Sequence, residues 1–129
     1  MESEHSKFGR LIYDDESYWK GQTIIDEWTI EFYIDGSEYE VDKILADYCF
    51  AVLLNFKFHL EQATKLIGSE LSIPVNDVKL RFAPNSLWGF WKENGNTMFY
   101  MSFEDNQNEF ANWRVQFDNN RAKYLGCDT

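Results

Sequence analysis

The chain has 129 residues, 44% of them hydrophobic and 18% aromatic, which is enough for one densely packed domain and too short for two ordinary ones. No run of about 18 apolar residues occurs, so a membrane-spanning helix is excluded. The formal net charge of −10 is uneven, with 13 acids against 4 bases up to Asp47 and 9 against 8 from Tyr48 onward; such a field disfavours nucleic acid and anionic lipid and favours a basic partner.

The N-terminal "MESEHSKFG" is polar and acidic, the opposite of a secretory signal, so a cytoplasmic location is expected. Residues 1–6 are expected to form a flexible tail on a single domain of residues 1–129. A first strand is predicted over Phe8–Tyr13, running into an acidic turn at Asp14–Ser17. A longer strand is predicted over Thr23–Asp35: Ile24, Trp28, Ile30, Phe32 and Ile34 share one parity, and Glu27, Thr29, Glu31, Tyr33 and Asp35 the other. "DGS" at 35–37 then supplies a turn.

Asp42 is a suitable N-cap for one long helix, about Lys43 to Ile67, with Gly68 as its stop. Its middle, "YCFAVLLNF", is apolar nearly all round, which predicts a helix covered on most sides and lying across a sheet. Past Pro74, Val78, Leu80 and Phe82 alternate with Lys79 and Arg81 and read as strand. A hairpin is expected with Asn94–Gly95 at its turn, between Leu87–Trp91 and Thr97–Phe103. After the loop "EDNQNE", a last pair, Asn112–Phe117 and Ala122–Leu125, is joined through "DNN". The expected fold is α+β: a mostly antiparallel sheet of about six strands packed against one long central helix.

Catalytic chemistry finds little support. The histidines are His5, in the expected tail, and His59, inside the helix; no glycine-flanked serine follows a strand. Cys49 and His59 lie ten residues apart on the predicted helix, about 15 Å of rise and on different faces, so they form no dyad. Cys49 and Cys127 are expected to be reduced. "DDESYWKG" lacks the alternating ligands, central glycine and closing glutamate of a calcium loop, and no Cys/His spacing suits zinc. Neither catalytic residues, a metal nor a cofactor is expected.

What stands out is acids interleaved with large aromatics. Aromatics supply anchoring area and carboxylates supply steering and paired hydrogen bonds. The candidate partner-binding residues are Asp14, Asp15, Glu16, Tyr18, Trp19, Glu27, Glu31, Tyr33, Asp35 and Glu38. Trp19 and Trp28 have a competing reading as core.

"FGRLIYDDESYWKG" resembles the start of small bacterial domains of uncharacterised function that open Phe-Gly-x-Leu, continue to an acidic turn and then show Trp-x-Gly. The likeness extends through "WTIEFYIDG" and a central helix to "FEDNQNEFANWRVQFDNNRAKYLG". Phe8, Gly9, Leu11, Trp19 and Gly21 match the opening, and Trp113 and Gly126 the end; the glycine and histidine that can follow the second aromatic are here Ala111-Asn112-Trp113. Such families include immunity proteins, the cognate inhibitors that protect a bacterium from its own toxin. The resemblance implies a cytoplasmic, non-enzymatic inhibitor of a toxin domain; the acidic excess makes a basic domain the expected partner, exposed strand edges leave monomer and homodimer both open, and the matched residues read physically as fold determinants. Other readings are a small enzyme or ligand-binding domain with a carboxylate-lined pocket, an acidic nucleic-acid mimic, or a plain structural module.

Overall fold

The computed structural model describes residues 2–5, 9–14 and 18–128, with side chains from Arg10 onward. The elements run β1 (Glu2–His5), β2 (Gly9–Asp14), β3 (Tyr18–Ile25), β4 (Trp28–Asp35), α1 (Lys43–Leu54), α2 (Phe56–Leu71), α3 (Val75–Arg81), β5 (Phe82–Glu93), β6 (Asn96–Asp105), β7 (Asn112–Asp118) and β8 (Arg121–Asp128). The expected α+β class and mostly antiparallel sheet are present. The described strands number eight rather than about six, in the spatial order of the chain. Neighbours are antiparallel except β4 and β5, which are parallel. A parallel pair needs a long crossover, and all three helices lie in that connection.

Five local expectations are corrected. Thr23–Asp35 is a hairpin rather than one strand: Asp26 turns the chain at φ 53°, and Ile25 pairs with Trp28 across it. No glycine marks the turn, but aspartate tolerates the left-handed region. The single long helix is two, broken at Asn55. The Asn55 amide donates to the Ala51 carbonyl at 3.1 Å and its backbone N–H reaches Val52 O at 3.1 Å, so side chain and backbone both leave the regular i→i−4 ladder. The helical stop falls at Ser72, left-handed at φ 55°, and Gly68 lies inside α2. A Cβ on Gly68 would come within 2.8 Å of the Ile73 carbonyl, so this glycine allows close packing of the following chain. Val75–Arg81 is a helix where alternation suggested a strand; only Val78 is buried, and Leu80 points to solvent. Glu2–His5, inside the expected tail, pairs with Gly9–Ile12.

The core lies between the helices and one sheet face. Leu11, Trp19, Ile30, Phe32, Ile34, Leu87, Phe99, Met101, Val115 and Phe117 come from the sheet, and Cys49, Phe50, Val52, Phe56, Ala63 and Ile67 from α1 and α2. Phe90, Phe99 and Phe117 stack across three neighbouring strands, with centroids 5.5 and 4.5 Å apart. His59 packs edge-on against both Phe99 and Phe117. Each such aromatic pair adds about 0.5–1.5 kcal/mol beyond burial. Among the described residues, no helix is long and apolar enough to cross a membrane.

Candidate functional site

With the helices on one face, the opposite face of the sheet is left to solvent, and none of its described side chains is buried. Strand register organises it into rows. Asp14 pairs with Tyr18 and Tyr18 with Asp35, giving one acidic–aromatic row. The next row runs Ile12, Lys20, Tyr33, and by continuation of the parallel β4–β5 register reaches Trp88, Tyr100, Gln116 and Tyr124. An aromatic stripe thus crosses the middle of the open face.

A β-bulge in β5 adjoins the second half of the stripe. Between Trp88 and Trp91, β5 advances three residues while β6 advances two, from Tyr100 to Met98. The additional residue includes Gly89, at φ 67°. The bulge shifts the parity, so Phe90 enters the core while Trp88 and Trp91 both remain on the open side. Trp88 is held firmly: it stacks on Tyr100 at 4.4 Å, and its indole N–H donates to Ser102 Oγ at 2.6 Å.

The charge on this face is partly internal. The Tyr33 hydroxyl donates to Glu31 at 2.5 Å, and Lys20 Nζ lies 3.3 Å from the same carboxylate and 5.7 Å from the Tyr33 ring centre. The Tyr33 hydrogen bond holds the Glu31 carboxyl below its ordinary value, and Lys20 adds to this. Burial, and then Glu31, pushes the Tyr33 phenol up, so it stays protonated as a donor. Tyr18 meets Tyr33 edge-on at 5.3 Å. Asp35 is exposed and makes no ion pair among the described residues.

The predicted partner-binding residues divide accordingly. Asp14, Tyr18, Glu31, Tyr33 and Asp35 are brought together on the open face. Trp19 is not with them: it is 1% exposed, faces the core beside Tyr13, and gives its indole N–H to the Ser37 carbonyl at 3.0 Å. It is a fold residue and offers no surface for anchoring. Glu27 sits at the β3–β4 turn, one residue beyond the Ile25–Trp28 pair, which lies seven residues along the hairpin from the Tyr18–Asp35 pair, roughly 23 Å away. Glu38 is exposed in the β4–α1 connection. Asp15 and Glu16 lie outside the described residues, as does Phe8.

Two further features were missed by the sequence reading. Trp88, Trp91, Tyr100 and Tyr124 join Tyr18 and Tyr33 on the open face; the alternation of Trp88 with Leu87, and of Tyr100 with Phe99 and Met101, was the available signal. The second is a buried carboxylate, Asp105, whose side chain is 1% exposed. Arg81 grips it with two nitrogens at 2.9 Å each, while the Gln107 backbone N–H (2.9 Å) and the Trp113 indole N–H (3.2 Å) complete its shell. Arg81, first of these, holds the Asp105 carboxyl below its usual range. All its partners are internal, so this carboxylate staples α3 to the loop after β6.

Catalytic and metal-binding geometry is sparse. Cys49 is buried on α1, where burial raises its thiol well above the ordinary value, and His59 lies on α2. No cluster of three His, Cys, Asp or Glu suited to a metal occurs among the described residues. A hollow of about 400 Å³ between α2 and the β3–β4 turn is lined by Asp26, Glu27 and Glu61 but also by Lys57 and Lys79. Lys57 lies 3.2 Å from Asp26, so the carboxylates there are partly balanced. No protein-family model, curated protein or solved structure matches the chain.

Proposed function

We propose that the chain is an immunity-type inhibitor, without catalytic activity of its own, that binds and neutralises a cognate bacterial toxin domain in the cytoplasm. The observation that carries this reading is the uncovered sheet face on which Asp14, Tyr18, Glu31, Tyr33 and Asp35 join Trp88, Tyr100 and Tyr124. Eight strands spaced about 4.8 Å make a face roughly 34 Å across, and its eight-residue strands β3, β4 and β8 run about 26 Å. That is close to the ~800 Å² per partner of a standard specific interface. Fixed aromatic rings supply binding area at small entropic cost, and an acidic rim steers a cationic partner.

The reading is tested by expressing a candidate toxin domain, encoded beside this chain, with and without it. Growth is expected only with both. The double variant Asp14→Lys/Asp35→Lys should associate at least ~10-fold more slowly at low salt and show a flatter salt dependence, since steering contributes about 10–10³ to association rates. Absence of protection removes the inhibitor reading; an unchanged association rate removes this face as the interface.

A further inference from the structure

The open face contains a shaped hollow as well as a stripe. Tyr18, Tyr33, Asp35, Trp88 and Gly89 line a depression of about 350 Å³. Its lining comes from β3, β4 and β5, and two of its rings, Tyr33 and Trp88, are held by contacts outside the hollow. Tyr18 and Tyr33 are set edge to face at 5.3 Å. Tyr33 is anchored through its hydroxyl to Glu31, and Trp88 through Tyr100 and Ser102. Gly89 borders the hollow, and the left-handed bulge there returns Phe90 to the core while Trp88 stays on the open side by its register with Tyr100. Asp35 contributes a carboxylate that is exposed and not ion-paired among the described residues.

Three electron-rich rings and an aspartate lining one hollow suit a cation. The ring faces attract positive charge through their quadrupoles, tryptophan most strongly, and arginine is the protein cation most often found there. A free carboxylate beside the rings offers the guanidinium a charge-assisted hydrogen bond. The same face already makes this pairing internally, where Lys20 lies over Tyr33 and against Glu31. Asp14, cross-strand to Tyr18, adds a second negative charge at this end of the sheet.

We propose that the Tyr18–Tyr33–Trp88–Asp35 hollow is a socket for a cationic side chain, an arginine above all, projecting from the surface of a protein partner. The identity of that partner rests on the inhibitor reading; the chemistry of the socket does not. Charge argues for this occupant: a chain of net charge −10 draws basic surfaces, and an aromatic floor rewards a cation that sheds water readily, as guanidinium does.

The test uses the full ¹⁵N-labelled chain titrated with N-acetyl-arginine amide and, in parallel, with N-acetyl-citrulline amide, its neutral isostere. Arginine should produce saturable shifts focused on the Trp88 indole N–H and the backbone amides of Tyr33, Asp35 and Gly89, and citrulline none there. Asp35→Asn and Trp88→Leu should each weaken binding ~5-fold or more, the fold-change corresponding to a single cation–π or charge-assisted contact. Asp35 is exposed, so its variant keeps the fold and reads the socket cleanly. Shifts of equal size with citrulline, or shifts scattered over the acidic surface without focus on these residues, overturn the proposal. Socket shifts in a chain that protects no cell retire the inhibitor reading and leave the socket standing. Full protection and unchanged toxin affinity in Asp35→Asn and Trp88→Leu overturn the socket as the anchor and leave the inhibitor reading intact.

Discussion

Gly89→Ala and Gly95→Ala form a matched pair that isolates how the open face is built. Both glycines have positive φ, 67° and 79°, so an alanine at either carries the cost of holding an L-residue in the left-handed region, about 1–2 kcal/mol. They differ in surroundings. A Cβ on Gly95 has nothing within 4 Å, whereas one on Gly89 would lie 2.6 Å from the Tyr100 ring. Tyr100 cannot yield freely, because it is stacked on Trp88 at 4.4 Å. Forcing such a shift costs a further ~1–3 kcal/mol. Gly95→Ala should therefore lose about 1–2 kcal/mol and Gly89→Ala about 2–5 kcal/mol. Urea denaturation measures both; at an m-value of ~2 kcal/mol/M, an additional 2 kcal/mol lowers the midpoint by ~1 M. The near-ultraviolet dichroism of the Trp88–Tyr100 stack should change in Gly89→Ala alone. Equal losses in the two variants, or an unchanged spectrum in Gly89→Ala, would refute the claim that the bulge glycine gives room to the aromatic stripe.

Removing the buried carboxylate by Asp105→Ala should destabilise the fold by about 3 kcal/mol, the lower end of the range for breaking a buried pair, because Arg81 keeps 25% side-chain exposure and can reach water; a loss below ~1 kcal/mol in urea would contradict the staple. The depressed folded value of Asp105 means that its contribution is complete above the ordinary carboxyl value of 3.8 and is lost as pH falls below it, so the acid limb of a stability–pH curve should flatten in Asp105→Asn. His59 has the same sign for a different reason: burial holds its folded value below 6.5, the unfolded chain takes up the proton first, and stability present above pH 6.5 declines as pH falls below it. His59→Leu should remove that part of the slope between pH 6.5 and 5, and an unaltered slope would mean that the imidazole protonates in place.

Local features whose cause is local were legible. Asp42 accepts the Leu45 N–H at 3.1 Å as an N-cap, because a short carboxylate before an apolar run satisfies a free amide wherever it occurs. Asn94 and Gly95 turn the β5–β6 hairpin with φ of 53° and 79°, and Asn119 and Asn120 turn the last one with 50° and 66°, because these residues tolerate the left-handed region. Of the residues sharing one parity, Ile30, Phe32 and Ile34 are fully buried, whereas Ile24, on the other side of the Asp26 turn, is 72% exposed. Alternation was a poorer guide where it coincided with a short helix. Val78, Leu80 and Phe82 are two apart, but Leu80 is 76% exposed on α3 and Phe82 begins β5. Pattern alone does not separate strand from helix over seven residues.

The sequence alone determined the α+β class, most turns, the alternation of the strands and the acidic excess at the front of the chain, since each depends on residues close together along it. Only the tertiary structure decided which face of each strand would be covered. That choice follows from three helices crossing between the parallel β4 and β5, and it buries Trp19 while leaving Tyr18 and Tyr33 outside. It also brings Trp88 and Tyr100 beside tyrosines more than fifty residues earlier. Spacing along a chain records the period of a strand, whereas the partner across the sheet is set by register and by the layer that excludes water from one side.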